Sequence, residues 1–175
     1  MAQYAEQDRV VRDARELARD LYASVISLRS VREQVGQVVE SAADTEHADT
    51  VAAVGDALRD SLTAWEDEVV QADQRTFQDV INYLNQLDAQ ILALIGSVEG
   101  TEPPATEGVR ERLGDLSDAW SAQARRRDTL LNEELARFEA LLEELGIPHV
   151  VIRRPEDARP VTQEDGAGED AASEG

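Results

Sequence analysis

Residues Ile81–Thr106, INYLNQLDAQILALIGSVEGTEPPAT, decide the fold. Ile81, Leu84, Leu87, Ile91, Leu94 and Ile95 recur at steps of three and four, which puts them on one broad face of a helix from about Val80 to Ile95. Gly96, Gly100, Pro103 and Pro104 follow as the strongest punctuation in the chain, so residues 96–106 read as a loop. Thr106 is a good N-cap for the next helix, and Glu107 would sit in its first turn, where a negative charge meets the positive end of the helix dipole. A helix this apolar needs neighbours to cover it.

Both flanks supply them. Upstream, Ala14, Ala18, Leu21, Val25 and Leu28 form a heptad-like seam in a helix spanning about Ala5 to Ala42. Arg32 then falls where an apolar residue is due, and the stripe continues through Val31, Val35, Val38 and Val39. Residues 41–49, SAADTEHAD, read as a turn, with Asp44 or Thr45 as the next N-cap. A second helix follows through Val51, Val54, Leu58, Leu62, Trp65, Val69 and Ala72. The next anchor, Phe77, is out of register, so an irregular connection near residue 75 is expected. Downstream, Val109, Leu113, Leu116 and Trp120 begin a last helix, which passes a polar middle and ends on Leu131, Leu135, Phe138, Leu142 and Leu145. Gly146, Ile147 and Pro148 spell a Schellman stop. His149–Ile152 is expected to tuck against the bundle. Residues 153–175 lack an apolar period and read as a disordered acidic tail.

The fold class is therefore all-α, an antiparallel helical bundle. It has three long helices, or four with the break near residue 75, and occupies residues 1–152 ahead of the tail. One domain suits a 175-residue chain. Aromatics make up only 4%, so Leu, Val, Ile and Ala build the core around Trp65, Trp120, Phe77 and Phe138.

Composition also sets the working environment. With no cysteine, disulfides and thiolate chemistry are excluded. The chain carries 37 acidic against 17 basic residues, a net −20, and every basic residue is Arg. Such a charge repels itself in the compact state, but at 1 M salt the Debye length is about 3 Å and the penalty largely vanishes. A salt-dependent, halophilic fold is expected. The same charge argues against nucleic acid as a partner, because phosphate binding needs a basic surface. No apolar run approaches the roughly 20 residues that span a bilayer. The start, MAQYAEQDRVVRD, has neither the basic beginning nor the apolar centre of a signal peptide, so as written the chain is expected in the cytoplasm.

Candidate chemistry is thin. A di-metal bundle site needs paired Glu-x-x-His motifs, whereas His47 has only Asp44 three residues before it and His149 has Gly146. Glu66–Asp67–Glu68, Glu133–Glu134 and Glu143–Glu144 are adjacent residues that point about 100° apart, which reads as a solvated face. Gly96–Gly100, GSVEG, has its serine one place too early for a nucleophile elbow. Arg125, Arg126 and Arg127 read as partners for acids within the bundle rather than as an anion site. Trp65 and Trp120 read as core anchors. No catalytic, cofactor-binding or metal residue is assigned, and the chain by itself is not expected to be an enzyme.

One resemblance goes further. Asn82, Asn85–Gln86–Leu87, the apolar run to Ile95, Val98–Glu99–Gly100 and Pro104–Ala105–Thr106 come in a characteristic order. Trp120 follows midway along the last helix, and Leu141–Pro148, LLEELGIP, ends it. This order resembles the helical C-terminal region of secreted bacterial β-propeller proteins with bacterial-neuraminidase (BNR) repeats, sortilin-like in the propeller and usually labelled glycosyl hydrolases. Two departures stand out. Gln78–Asp79 leads into Val80–Ile81 where the family usually has a proline, and neither a Ser-x-Asp-x-Gly-x-x-Trp box nor the preceding sandwich domain occurs. The resemblance thus implies a non-catalytic accessory domain detached from its propeller, with any hydrolase activity in the missing part. It implies the propeller and sandwich portion as partner, and a secreted or periplasmic location if the chain belongs to such a parent. A free-standing oligomerising bundle with a scaffold or tethering role is the alternative.

Overall fold

The computed structural model describes residues 2–71 and 85–148. The expected break near residue 75, the anchor Phe77, His149–Ile152 and the acidic tail lie outside the described residues. Helix α1, Ala2–Ser41, is one unbroken rod of 40 residues, about 60 Å long at 1.5 Å per residue. Its buried seam runs Val10, Ala14, Ala18, Leu21, Val25, Leu28, Val31 and Val35, so the seam passes Arg32 within one continuous helix. A short turn leads to α2, Ala48–Val69. The expected cap at Asp44 or Thr45 is corrected: the N-cap is His47, without a side-chain cap bond. Thr45 instead holds the turn, donating to the Ala42 carbonyl at 2.7 Å and accepting from His47 N–H at 3.3 Å. The tight turn so formed delays α2 by two or three residues.

At Val70 the backbone turns extended, φ −132 and ψ 147. Helix α3 is Leu87–Glu99; it runs past the expected end at Ile95, and the first part of the expected central helix, residues 80–84 with Ile81 and Leu84, lies outside the described residues. Asn85 and Gln86 are not helical, and the helix passes through Gly96 to a C-cap at Gly100. Gly96 lies on an open face, with nothing within 4 Å of where a Cβ would stand, and the burial of Leu94, Ile95 and Val98 around it offsets the roughly 1 kcal/mol a helical glycine costs. Thr106 caps α4, Glu107–Thr129, accepting from Val109 N–H at 3.3 Å.

The rod does not end at Thr129. A π-helical turn, Leu130–Leu135, carries it into α5, Ala136–Glu144. The reason lies in the seam. Leu116, Trp120, Ala124, Arg127, Leu131, Leu135, Phe138 and Leu142 mark seven turns in 26 residues, where an ideal helix would use about 25. The wider π turn takes up the extra residue and keeps Leu135, Phe138 and Leu142 facing the core. The end is the expected Schellman motif: Ile147 N–H reaches Leu142 O at 3.0 Å, Gly146 N–H reaches Glu143 O at 3.1 Å, and Gly146 has φ 64.

Side-chain pairings fix the arrangement. Val39 lies against Gly55, Gly36 against Arg59, and Arg29 and Arg32 pair with Glu66, so α2 descends along the C-terminal half of α1. Tyr22 bonds Asp88, Arg15 pairs with Glu99, and Gln7 bonds Val98, so α3 continues that descent along the N-terminal half. Glu6–Arg110 and Asp20–Trp120 send the last rod back up. The result is an up–down–up bundle of three rods whose middle rod is interrupted between α2 and α3. The all-α antiparallel bundle expected from the sequence is what the structure shows, in its four-helix version.

Candidate functional site

The polar groups of the bundle collect where the middle rod breaks. Trp65, fully buried on α2, donates its Nε1–H to the Gln123 carbonyl at 2.9 Å. Trp120 donates to Asp20 Oδ2 at 2.8 Å, and the two indoles meet edge to face with centroids 6.4 Å apart. Both tryptophans are core anchors, as their seam positions indicate. Above Trp120 stands the Arg127 guanidinium, 6.0 Å from the ring. It donates to the buried Ser24 hydroxyl at 2.6 Å and to Asp128 at 2.8 Å. Arg126 donates to Glu68 at 2.6 Å, and Arg125 is exposed. Two of the three arginines therefore interrupt the apolar stripe in order to tie the last rod to α1 and α2.

One expectation about the acids fails. Asp67 and Glu68 are exposed, but Glu66 is buried at 5% exposure. It stands beside Trp65 on the side of α2 that meets α1. Arg29 Nε donates to its Oε1 at 2.7 Å, and Arg32 Nη1 to its Oε2 at 2.8 Å. An out-of-register arginine on α1 and a helical carboxylate on α2 thus complete one another, a relation invisible along either helix alone. His47 lies at the α1–α2 turn with Nε2 3.6 Å from the Glu46 carboxylate. Among the described residues no group of three or more His, Cys, Asp or Glu could hold a metal.

The electrostatics of this layer move groups away from neutral pH. Bonds from Arg126 and Gln123 hold the Glu68 carboxyl below its usual range. Partial burial, then the negative charge of Asp88 and the bond to it, push the Tyr22 hydroxyl up to about 12. Two acceptors at the break, Asp88 Oδ1 and Gln123 Oε1, are buried without a partner. A small cleft of about 210 Å³ opens between α2, α3 and α4, with Glu68, Gln90, Arg112 and Gln123 on its walls.

Large apolar side chains also stand exposed on α1 and α3. Arg15, Arg19, Tyr22 and Ile26 follow one line on α1 at steps of four, three and four. Ile26 is 68% exposed, Leu92 on α3 49% and Tyr22 37%. The signal was present in the sequence, since Ile26 and Leu92 each stand beside a seam position that is already filled, by Val25 and Ile91. No helix among the described residues is long and apolar enough to cross a membrane. Comparison with protein-family models, curated proteins and solved structures finds no match to this chain.

Proposed function

We propose that the chain is a non-catalytic helical accessory module that works by burying the α1–α3 face against a partner protein. The partner is the β-propeller and sandwich portion of a parent protein of the BNR-repeat kind, which the order of residues 78–148 resembles. The observation that carries the docking role is Ile26, a large aliphatic side chain held in water at 68% exposure on a rigid helix. Leu92 on α3 and Tyr22 on α1 are exposed as well, and Arg19 precedes Tyr22 by three residues on α1. Groups suited to proton transfer near neutral pH would need pKa values displaced towards 7, and the shifts at Glu68 and Tyr22 run the other way.

The upstream reading frame and a binding experiment together test this. The proposal expects Asp-box repeats and a sandwich domain encoded immediately upstream. It also expects the separately produced propeller portion to bind this chain in high salt, with Ile26→Arg weakening binding about tenfold or more while helicity is unchanged. Light scattering that shows a dimer, returned to monomer by Ile26→Arg, would transfer the face to self-association and sink the propeller as partner. A monomer that binds no propeller portion would refute the docking role altogether.

A further inference from the structure

We infer that α3 is a detachable helix, leaving the bundle as a unit while α2, the C-terminal half of α1 and the end of the last rod stay packed. Its intrinsic stability is low, because 13 residues is about the length at which isolated helices are marginal in water. It contributes Leu87, Ile91, Leu94, Ile95 and Val98 to the core, none of them aromatic. The opposite half of the bundle is locked by Trp65, Phe138 and the Glu66 ion pairs.

The polar clamps on α3 lie at its rim. They are Tyr22 to Asp88 at 3.2 Å, Gln7 to the Val98 and Thr101 carbonyls at 2.7 and 3.0 Å, Arg15 to Glu99 at 2.5 Å, and Arg112 to Gln90 at 2.5 Å. The contacts between open side chains add little each, and only the Gln7 bond to the Val98 carbonyl is partly buried. One group favours departure. Asp88 Oδ1 is buried without a partner when α3 is docked and gains water when it leaves. The described residues that flank α3, Asn85–Gln86 and Thr101–Thr106, are non-helical, so α3 is not continuous with α4.

Amide hydrogen exchange of the full chain in sub-denaturing guanidinium tests this. Amides of Gln90–Glu99 are expected to exchange at least about 100-fold faster than those of Leu58–Val69 and Phe138–Leu145, with a weaker denaturant dependence. Equal protection and equal denaturant dependence in the three segments would overturn it. Ile91→Val, mild enough to leave the fold intact, should speed exchange in α3 by about 2- to 10-fold and leave α2 unchanged. Equal acceleration in α2 would also overturn the inference.

Discussion

Gly55 offers the sharpest test of how the rods meet. It sits in the buried seam of α2, and a Cβ built on it would stand 2.4 Å from Val39 Cγ2 and 3.2 Å from Phe138 Cε2. Replacing a helical glycine by alanine normally stabilises by about 1 kcal/mol. Here the added methyl must displace a β-branched side chain with one favoured helical rotamer and press on a fully buried ring. Overpacking of this kind costs about 1–3 kcal/mol. The clash outweighs the propensity gain, so Gly55→Ala should destabilise by about 1 kcal/mol and lower the melting temperature by about 2–4 °C for a protein of this size. Gly36→Ala is the control. Its Cβ would lie 3.5 Å from Arg59 Nε, an ordinary contact, so that variant should gain about 1 kcal/mol. Adding Val39→Ala to Gly55→Ala removes the 2.4 Å contact, and the double variant should be more stable than the sum of the singles by about 1 kcal/mol. Thermal melts followed by circular dichroism read all four. A Gly55→Ala protein that melts higher, as Gly36→Ala does, would refute the close approach of α1, α2 and α5.

Three other outcomes are expected. Glu66→Ala should cost about 2 kcal/mol in a denaturant titration, below the roughly 3–5 kcal/mol for breaking a fully buried pair, because Arg29 is half exposed and can turn to water. Glu66→Leu should cost less than Glu66→Ala. Tyr22 should ionise at about pH 12 in the folded protein against 10 in the unfolded chain. Because its folded pKa is raised, its contribution to stability is complete below pH 10 and fades as pH rises through 12; ultraviolet titration should show a late tyrosine that Tyr22→Phe removes. With a net charge of −20, the melting temperature should rise from millimolar to molar salt as self-repulsion is screened, and an unchanged melt would count against the halophilic reading.

Much of the bundle was legible because helical spacing is a local property. The seams of α1 and α2, the Thr106 cap, the Schellman end and the two tryptophan anchors all depend on residues within a turn or two of each other. What escaped depends on neighbours from other rods. Glu66 reads as surface until Arg29 and Arg32 are brought across from α1. Gly55 is silent in sequence, and Val54 takes its place in the expected stripe, because the demand for a missing Cβ comes from Val39 and Phe138. Gly96 reads as a helix stop, yet the burial of Leu94, Ile95 and Val98 around it carries α3 onward. The π turn was foreshadowed by a seam spacing slightly too long for an α-helix. The exposed pair Ile26 and Leu92 looked like ordinary members of apolar helices until the packing left them outside.

An odd number of rods has a mechanical consequence. Residue 2 and residue 148 stand at opposite ends of a body about 60 Å long, set by the 40 residues of α1. Whatever is joined to one end is held at a distance from whatever is joined to the other. The split in the middle rod leaves that span to two continuous struts, α1 and the α4–α5 rod. The separation of residues 2 and 148 is therefore set by the length of α1, and the release of α3 inferred above would leave that separation unaltered.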